Sequence, residues 1–390
     1  MRAAKTMSSC ADMRLKDDAG RVQTNPANTG FISPVRHNFA MPIQRLFSFA
    51  LLAVATLTLG SVAVPSPTQA QIAARDGISF DAYMELLKAR ARAEGVSEAT
   101  IQRMTAGLTP NARVIRLDRG QPGRPTVRGY PAMAPYIATH VNSQRIAGGR
   151  SVFRANSGQL RAVERQYGVP GEIIVAIFGH ETSYGRIRGN FDLSRSLATL
   201  AWEGRRRELF AGEWVALMKV ADRGYSRAQL VGSYAGAFGN PQFLPSVYLR
   251  LAADGDGDGR ANIFTNRADT FASIANYFKD AGWRTGQPWG VRAAVPRGFD
   301  VDAYKTELVA PVCPRVHERH SQWKTVREWR ALGVQPQRPL PDDTLVSLFQ
   351  PDGPGAPAWL LTGNYRVILE YNCSNYYAMS VGLLADEIVN

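Results

Sequence analysis

The stretch Val169–Gly185, VPGEIIVAIFGHETSYG, contains a helix start, an apolar body, one late acid and a terminating glycine. Pro170 and Glu172 are typical of a first helical turn, and Gly185 is typical of the end of a helix. Counting back from Glu181 in steps of three and four meets only Phe and Ile. This carboxylate is therefore predicted to share the helix face that packs into a core.

Two interpretations of Glu181 follow from this position. Desolvation and the negative end of the helix dipole both disfavour a charged carboxylate there, which is the environment that a general acid requires. The alternative is a structural carboxylate that pairs with Arg186 or Arg188 at the helix end. The helix alone leaves both interpretations open.

A glycine-rich loop further along the chain favours the interpretation of Glu181 as a general acid. The sequence GSYAGAFGNPQFLPSVYLR, Gly232–Arg250, contains glycines that let backbone approach a ligand closely. Ser233, Asn240 and Gln242 add neutral hydrogen-bonding groups. Neutral hydroxyls and amides beside aromatic residues suit a sugar better than a phosphate.

The following stretch, DGDGDGRANIF, has the spacing of an EF-hand calcium loop. Its first, third and fifth positions are Asp254, Asp256 and Asp258. A glycine is sixth, and the carbonyl of Arg260 would be the seventh-position ligand. Thr265 stands at the twelfth position, where a bidentate Glu is typical, so either Asp269 completes the site or the affinity is weak. An Asp-Gly turn without an ion is the alternative.

Residues 41–70 have the order of a secretory signal peptide: one arginine, the uncharged stretch Leu46–Val64 and small residues ending at Ala70. An uncleaved anchor is the alternative, because the stretch is near the minimum length for a membrane span. Cleavage is favoured, and we expect an exported periplasmic protein with no stable membrane span. Residues 1–40 are interpreted as a non-structural extension, with Met1 and Met41 both left open as the start.

Export to an oxidising compartment would allow the cysteines to form a disulfide bond. Only Cys313 and Cys373 follow the signal, and an even pair in an oxidising compartment predicts a disulfide bond. Two unpaired buried cysteines are the alternative.

The order of the patterns indicates a mainly helical α+β chain. Residues 79–108 read as two short helices, and a linker, RGQPGRPTVRGYPAMAP, ends near Tyr136. Helical patterns continue over 137–167 and 210–223. From Val291 the sequence turns to β-rich runs, and a last helix extends from Ser374 to the C-terminus. The runs are AAVPRGF, TLVSLFQP, AWLLTG and YRVILEY.

Two further motifs are given structural interpretations. CPRVHERH, residues 313–320, lacks HExxH spacing and is interpreted as a surface loop. GRRRE, residues 204–208, is basic, and the net charge of +13 favours polyanionic partners. Export argues against nucleic acid, so this cluster is interpreted as a solvated helix face.

Together these motifs resemble the B-type lytic murein transglycosylases over roughly residues 78–390. The resemblance implies a lysozyme-like core with an EF-hand-like loop, an N-terminal helical unit and a small C-terminal β unit. The predicted units are 78–165 (helical), 166–290 (catalytic core, with the calcium-type loop 254–269), 291–372 (small β unit) and 373–390 (return helix). The matching segments are YGVPGEIIVAIFGHETSYGRIRG, LATLAWEGRRRELF, GSYAGAFGNPQFLPSVY, DGDGDGRANIFTNRADTFASIANYFKDAGW, WRALGV and YRVILEYNCSNYYAMSVGLLADEI.

The resemblance also implies site residues. Glu181 matches the catalytic acid of the family. The substrate-cleft matches are Ser233, Gln242, Tyr277, Tyr371 and Asn372, with Tyr136 and Tyr377 as looser matches. Asn240-Pro241 departs from the pair common before Gln-Phe, and the calcium loop is one residue longer before Asp269.

The implied reaction cleaves the MurNAc–GlcNAc β-1,4 bond of peptidoglycan and closes a 1,6-anhydro ring, with Glu181 as acid and then base. No cofactor is implied for the chemistry, and a structural Ca²⁺ is expected. A hydrolytic muramidase with Asp192 as a second carboxylate is one alternative. A non-catalytic wall-binding protein is the other.

Overall fold

The computed structural model describes residues 77–121, 130–310 and 315–390. The predicted extension and signal peptide lie outside these residues. The helices, in chain order, are α1 (Phe80–Ala93), α2 (Glu98–Thr105), α3 (Ala112–Arg119), α4 (Met133–His140), α5 (Ser143–Ala155), α6 (Ser157–Tyr167), α7 (Gly171–Thr182), α8 (Leu193–Glu203), α9 (Arg207–Asp222), α10 (Pro245–Leu251), α11 (Arg267–Asp280), α12 (Val326–Ala331), α13 (Gly363–Tyr371) and α14 (Asn375–Val389). The strands are β1 (Phe191–Asp192), β2 (Val231–Gly232), β3 (Gly290–Ala294), β4 (Trp323–Thr325), β5 (Gln335–Pro336), β6 (Leu345–Phe349) and β7 (Ala358–Leu361).

Helix α7 lies at the centre of the main hydrophobic core. Its apolar body, from Ile173 to Phe178, is buried on every side. Helices α5, α6, α11 and α14 surround it. A helix that is apolar all round is stable only when other elements enclose it, so the sequence of α7 dictates this central place.

The N-terminal helices pack on the other side of the core. Helices α1 and α2 contact α8 and α9, which also pack against each other. The predicted division of residues 79–108 into two helices is confirmed, since Ser97 caps the second one by accepting a hydrogen bond from Thr100 N.

A five-stranded antiparallel sheet in the order β4-β6-β7-β3-β5 forms the C-terminal β unit. Val291 faces Leu360 across β3 and β7. Together with Trp329 of α12, they belong to a second, smaller hydrophobic core. A separate two-stranded ribbon joins β1 to β2 beside the glycine-rich loop. The predicted mainly helical α+β class is confirmed.

Three predicted local structures are wrong. YRVILEY is not a strand but most of α13, because Thr362 caps this helix and its apolar residues are buried against α14. The linker ends earlier than predicted, since α4 begins at Met133 and holds Pro135 in its first turn. Helix α7 ends at Thr182, three residues before Gly185.

The searched helices, all within the described ranges, include none that is long and apolar enough to cross a membrane.

Candidate active site

Glu181 lies in the last turn of α7 and is 9% exposed. After Thr182 the backbone turns sharply, because Ser183, Tyr184 and Gly185 all have positive φ angles of 50°, 61° and 86°. Two consecutive non-glycine residues in this conformation are strained, and such strain persists only where the surroundings enforce it. The Tyr184 hydroxyl donates to the Arg145 carbonyl at 2.6 Å, which holds the turn in place.

The Glu181 carboxylate accepts a hydrogen bond from the phenol of Tyr377 on α14. The distance from the hydroxyl oxygen to Oε1 is 2.5 Å, and both side chains are buried. Burial raises the pKa of Tyr377 well above its ordinary value, and the charge of Glu181 adds to the rise. The phenol therefore stays protonated and donates to the acid.

The alternative partners of Glu181 contact backbone instead. Arg186 Nε donates to the Ser183 carbonyl at 3.1 Å, and Arg188 Nη1 donates to the Phe264 carbonyl. Both arginines thus stabilise the loop after α7. The contact of Arg188 with Phe264 also joins this loop to the calcium-type loop.

The glycine-rich loop packs tightly against the turn after α7. A Cβ atom on Gly189 would lie 2.3 Å from the Gly232 carbonyl oxygen, so only glycine permits this approach. Ser233 Oγ accepts from Ala237 N at 2.9 Å, which leaves its hydroxyl proton for another acceptor. Ser233 is therefore suited to donate to a ligand.

Gln242 is a buried residue with a φ of 55°. Its amide nitrogen donates to the carbonyls of Gly239 at 2.8 Å and Arg188 at 3.2 Å. The side-chain amide therefore holds the glycine-rich loop on the loop after α7. A contact of Gln242 with substrate would therefore use its side-chain carbonyl oxygen.

Tyr277 and Tyr371 form an edge-to-face pair with ring centroids 4.8 Å apart. Their hydroxyls donate to backbone carbonyls, of Glu370 at 2.9 Å and Pro241 at 2.8 Å. Burial raises the pKa of Tyr371, and the Glu181 charge contributes to the rise, which places Tyr371 near the acid. Asn372 follows directly as the half-buried residue that ends α13.

Tyr136 reaches the same region from α4. Burial raises its pKa to about 12, while Arg145 and a hydrogen bond with Ser380 oppose the rise and the Glu181 charge adds to it. The ring stacks on His140 with centroids 3.8 Å apart. The structure therefore brings Tyr136, Tyr371 and Tyr377 around Glu181.

Sequence reasoning missed the residues behind the acid. His180 Nε2 lies 2.8 Å from Ser380 Oγ, and Arg145 Nη1 donates to the Gly179 carbonyl at 3.4 Å. The only available signal was the position of His180 next to Glu181. Neighbours on a helix point in different directions, so this position did not indicate a shared site.

The calcium-type loop collects three of the predicted acids. Carboxylate oxygens of Asp254, Asp256 and Asp269 lie within 4.8 Å of one another. Burial raises the pKa of Asp269, and hydrogen bonds from two backbone N–H groups oppose this, while the charges of Asp256 and Asp254 add to it. A set of carboxylate oxygens, one of them fully buried, fits a hard cation such as Ca²⁺.

Asp258 lies outside this group of three. Its Oδ1 accepts from the backbone N–H of Arg260 at 2.8 Å. The role of the Arg260 carbonyl as a ligand stays a prediction. Gly259 has a φ of 87°, which agrees with the sharp turn expected at the sixth position.

The calcium-type loop also supports the glycine-rich loop. Asn240 N donates to the Ile263 carbonyl at 2.8 Å, and Asn240 Nδ2 donates to Thr270 Oγ1 at 3.1 Å. A Cβ atom on Gly239 would lie 2.7 Å from the Ile263 side chain. These contacts join the calcium-type loop and the start of α11 to the loop that carries Ser233.

Asp192 has a structural role that conflicts with its prediction as a second catalytic carboxylate. Its Oδ1 caps α8 by accepting from Arg195 N at 3.1 Å. Its Oδ2 pairs with Arg227, with Nη2 at 2.7 Å. Both carboxylate oxygens thus hold backbone and side chains in place.

The two motifs interpreted as surface features are partly buried. In GRRRE, Arg205 binds Asp118 through two contacts of 2.6 Å, and Arg206 binds the same carboxylate, which is 1% exposed. In CPRVHERH, His317 and His320 are each 3% exposed, and burial lowers their pKa values to about 4 and about 3. The two interpretations hold only in part. Arg205 and Arg206 pair with a buried acid while Glu208 is exposed, and the described part of CPRVHERH combines two buried histidines with the exposed Glu318.

Cys373 is disulfide-bonded. Its predicted partner, Cys313, lies outside the described residues, so the pairing stays a prediction.

Comparisons with known proteins give one consistent family. The family described as transglycosylase SLT domain matches residues 79–386. Membrane-bound lytic murein transglycosylase B of Escherichia coli (strain K12) is 33% identical over 289 residues, which cover 70% of this chain and 73% of that protein.

Solved structures agree with this match. SltB3 from Pseudomonas aeruginosa in complex with NAG-anhNAM-pentapeptide has a TM-score of 0.72 at 35% identity, and 80% of each chain is covered. Slt35 of Escherichia coli in complex with calcium has a TM-score of 0.64 at 28% identity, and covers 84% of this chain and 98% of its own. These neighbours confirm the predicted lysozyme-like fold.

Proposed function

Because the chain belongs to the transglycosylase SLT family and is a peptidoglycan lytic transglycosylase, we propose that it cleaves the MurNAc–GlcNAc β-1,4 bond with Glu181 as its single acid–base residue. The observation that carries this proposal is the buried hydrogen bond from Tyr377 to Glu181 Oε1 at 2.5 Å. This contact orients the carboxyl group at the end of α7, beside the loop that carries Ser233.

The first step is proton transfer from Glu181 to the glycosidic oxygen. The bond between that oxygen and C1 of the muramyl residue breaks, the bonding electrons leave with the oxygen, and positive charge develops at C1. Since Oε1 accepts from Tyr377, the transferred proton is placed on Oε2.

In the second step the Glu181 carboxylate removes the proton of the muramyl C6 hydroxyl. The C6 oxygen then bonds to C1 and closes a 1,6-anhydro ring, so water is not consumed. Tyr377 remains protonated and donates to the carboxylate in both steps, which fixes its position while its charge changes.

The predicted cleft residues would bind the sugar in different ways. Ser233 has a hydroxyl proton to donate, and we assign it to the N-acetyl carbonyl. Tyr277 and Tyr371 have donated theirs to backbone carbonyls. They would therefore contribute ring surface, with Asn372 and Tyr136 as the polar groups at the edges of the cleft.

A hydrolytic muramidase is the second candidate, and it needs a second carboxylate for a water molecule or a covalent intermediate. Asp192 caps α8 and pairs with Arg227, which argues against Asp192 as the second catalytic carboxylate. The complex of SltB3 with an anhydro-muramyl ligand supports the lytic route for this chain by similarity. Mass spectrometry of the muropeptides released from purified murein distinguishes the two reactions.

We further propose that Ca²⁺ binds Asp254, Asp256 and Asp269 as a structural ion. Their proximity and the calcium complex of Slt35 support this. The proposal also includes export to the periplasm with cleavage of the signal peptide. It further includes the Cys313–Cys373 bond and the four units predicted within residues 78–390. The NAG-NAM-pentapeptide complex of SltB3 supports glycan strands as the partner.

A further inference from the structure

Two hydrogen bonds between side chains join α7 to α14. Glu181 and the preceding His180 lie on α7, while Tyr377 and Ser380 lie one turn apart on α14. The Tyr377 hydroxyl lies 2.5 Å from Glu181 Oε1, and Ser380 Oγ lies 2.8 Å from His180 Nε2. The second bond thus fixes how the two helices are placed at the acid.

The partners of His180 define its tautomer. Nδ1 lies 3.0 Å from the Ala176 carbonyl, which can only accept, so Nδ1 carries a proton. Burial and, to a smaller extent, the nearby charge of Arg145 lower the pKa of His180 to about 3. The ring is therefore neutral, and Nε2 must accept the proton of the Ser380 hydroxyl.

Ser380 has a second acceptor within its own helix. Its Oγ lies 2.8 Å from the Tyr377 carbonyl. If the acceptor on His180 is removed, the hydroxyl can turn to this carbonyl and stay satisfied. The Ser380–His180 bond between the helices is then lost, and the register depends on the Glu181–Tyr377 hydrogen bond and on the packing of the two helices.

We propose that His180 is a positioning residue, which aligns the Tyr377 phenol with the Glu181 carboxyl through Ser380. This inference rests on the proposed role of Glu181. His180 acts through Ser380, so it affects the rate of proton transfer rather than the binding of the glycan. The Tyr377 ring packs edge-on against the imidazole, with centroids 5.6 Å apart, which adds a direct contact to the same alignment.

The test compares His180→Gln with His180→Leu on purified murein. Gln places an acceptor at the distance of Nε2 from the backbone, whereas Leu fills a similar volume without any acceptor. We expect Leu to lower kcat about 10- to 100-fold with KM unchanged, as for a misplaced catalytic group, and Gln to recover most of that loss. His317→Leu, at a buried histidine of the β unit, controls for the general effect of losing an imidazole.

Ser380→Ala removes the same bond by a smaller change and is expected to lower kcat to a similar degree. Equal kcat for the Leu and Gln variants, or wild-type kcat in a folded Ser380→Ala variant, would overturn the positioning role. A wild-type protein that releases no muropeptide would instead refute the proposed function. Melting curves and murein pull-down show whether each variant is folded and binds murein, so misfolding is distinguished from both outcomes.

Discussion

At the scale of single residues, the site depends on one acid and one phenol that come from distant parts of the chain. Helical spacing in α7 predicted that Glu181 would be buried, and it is 9% exposed. The contact with Tyr377 spans 196 positions and could not be read from local pattern. Tyr377 was predicted as a site residue only through a looser family match. Ser380 and His180 were not predicted as site residues, because their hydrogen bond depends on how α7 packs against α14.

Replacing Glu181 with Gln removes the transferable proton and keeps the shape. Turnover of murein should fall by about 10²–10⁴-fold, the usual contribution of a positioned acid or base. Since Gln Oε1 can still accept from Tyr377 and an amide has no ionised form to bury, the melting temperature should be equal or higher. Glu208→Gln, at an exposed acid, is the matched control. Near-normal turnover by the Glu181 variant would remove Glu181 from the mechanism.

Tyr377→Phe tests the partner of the acid. A hydrogen bond to a charged group contributes about 1.5–3 kcal/mol, so kcat should fall roughly 10- to 100-fold. Tyr376→Phe alters the neighbouring phenol of α14, which donates to the Pro131 carbonyl, and should leave kcat unchanged. Equal kcat in the two variants would show that the Tyr377 hydroxyl has no role in turnover.

At the scale of elements, the sequence predicted helices better than it predicted the strand-like C-terminal runs. Three of the four β-rich runs contain strands, but YRVILEY is rich in β-branched and aromatic residues and still forms α13. Burial against α14 outweighs local preference there, since Tyr365, Ile368 and Tyr371 lie on its buried side. For Asp192 the local sequence was ambiguous, because an acid just before a helix is as typical of a cap as of a catalytic site, and here it caps α8.

The calcium-type loop should respond to Ca²⁺ as a unit. Binding to the native state raises stability by mass action, so the wild type should melt at a higher temperature with Ca²⁺ than with a chelator. Asp256→Asn should abolish this difference, whereas Asp302→Asn, an exposed acid paired with Lys305, should retain it. Identical wild-type melting under both conditions would contradict the metal site.

A Cys313–Cys373 bond would tie the β unit to the start of α14. We expect non-reduced protein from the periplasm to resist alkylation at both cysteines and to become reactive after reduction. Peptide mapping should recover the two segments as one cross-linked species. Alkylation of both thiols before reduction would refute the bond.

At the scale of the whole molecule, buried neutral histidines make stability depend on pH. Burial lowers the pKa of His317 to about 4, below its unfolded value of about 6.5. Between these values the unfolded chain binds more protons, so the contribution of His317 is full above pH 6.5 and is lost as the pH falls towards 4. The free energy of unfolding should therefore fall less over this window in His317→Gln than in the wild type. Parallel curves from urea unfolding at several pH values would contradict this.

The central claim is that one buried acid both breaks the glycosidic bond and closes the anhydro ring. Mass spectrometry of the muropeptides that the protein releases from purified murein tests it most directly. We predict that the wild type gives ends of 1,6-anhydro-muramic acid, lighter by one water than hydrolysed ends, and that Glu181→Gln gives neither product. Reducing muramic acid ends from the wild type would contradict the lytic mechanism and assign the protein to the hydrolytic muramidases.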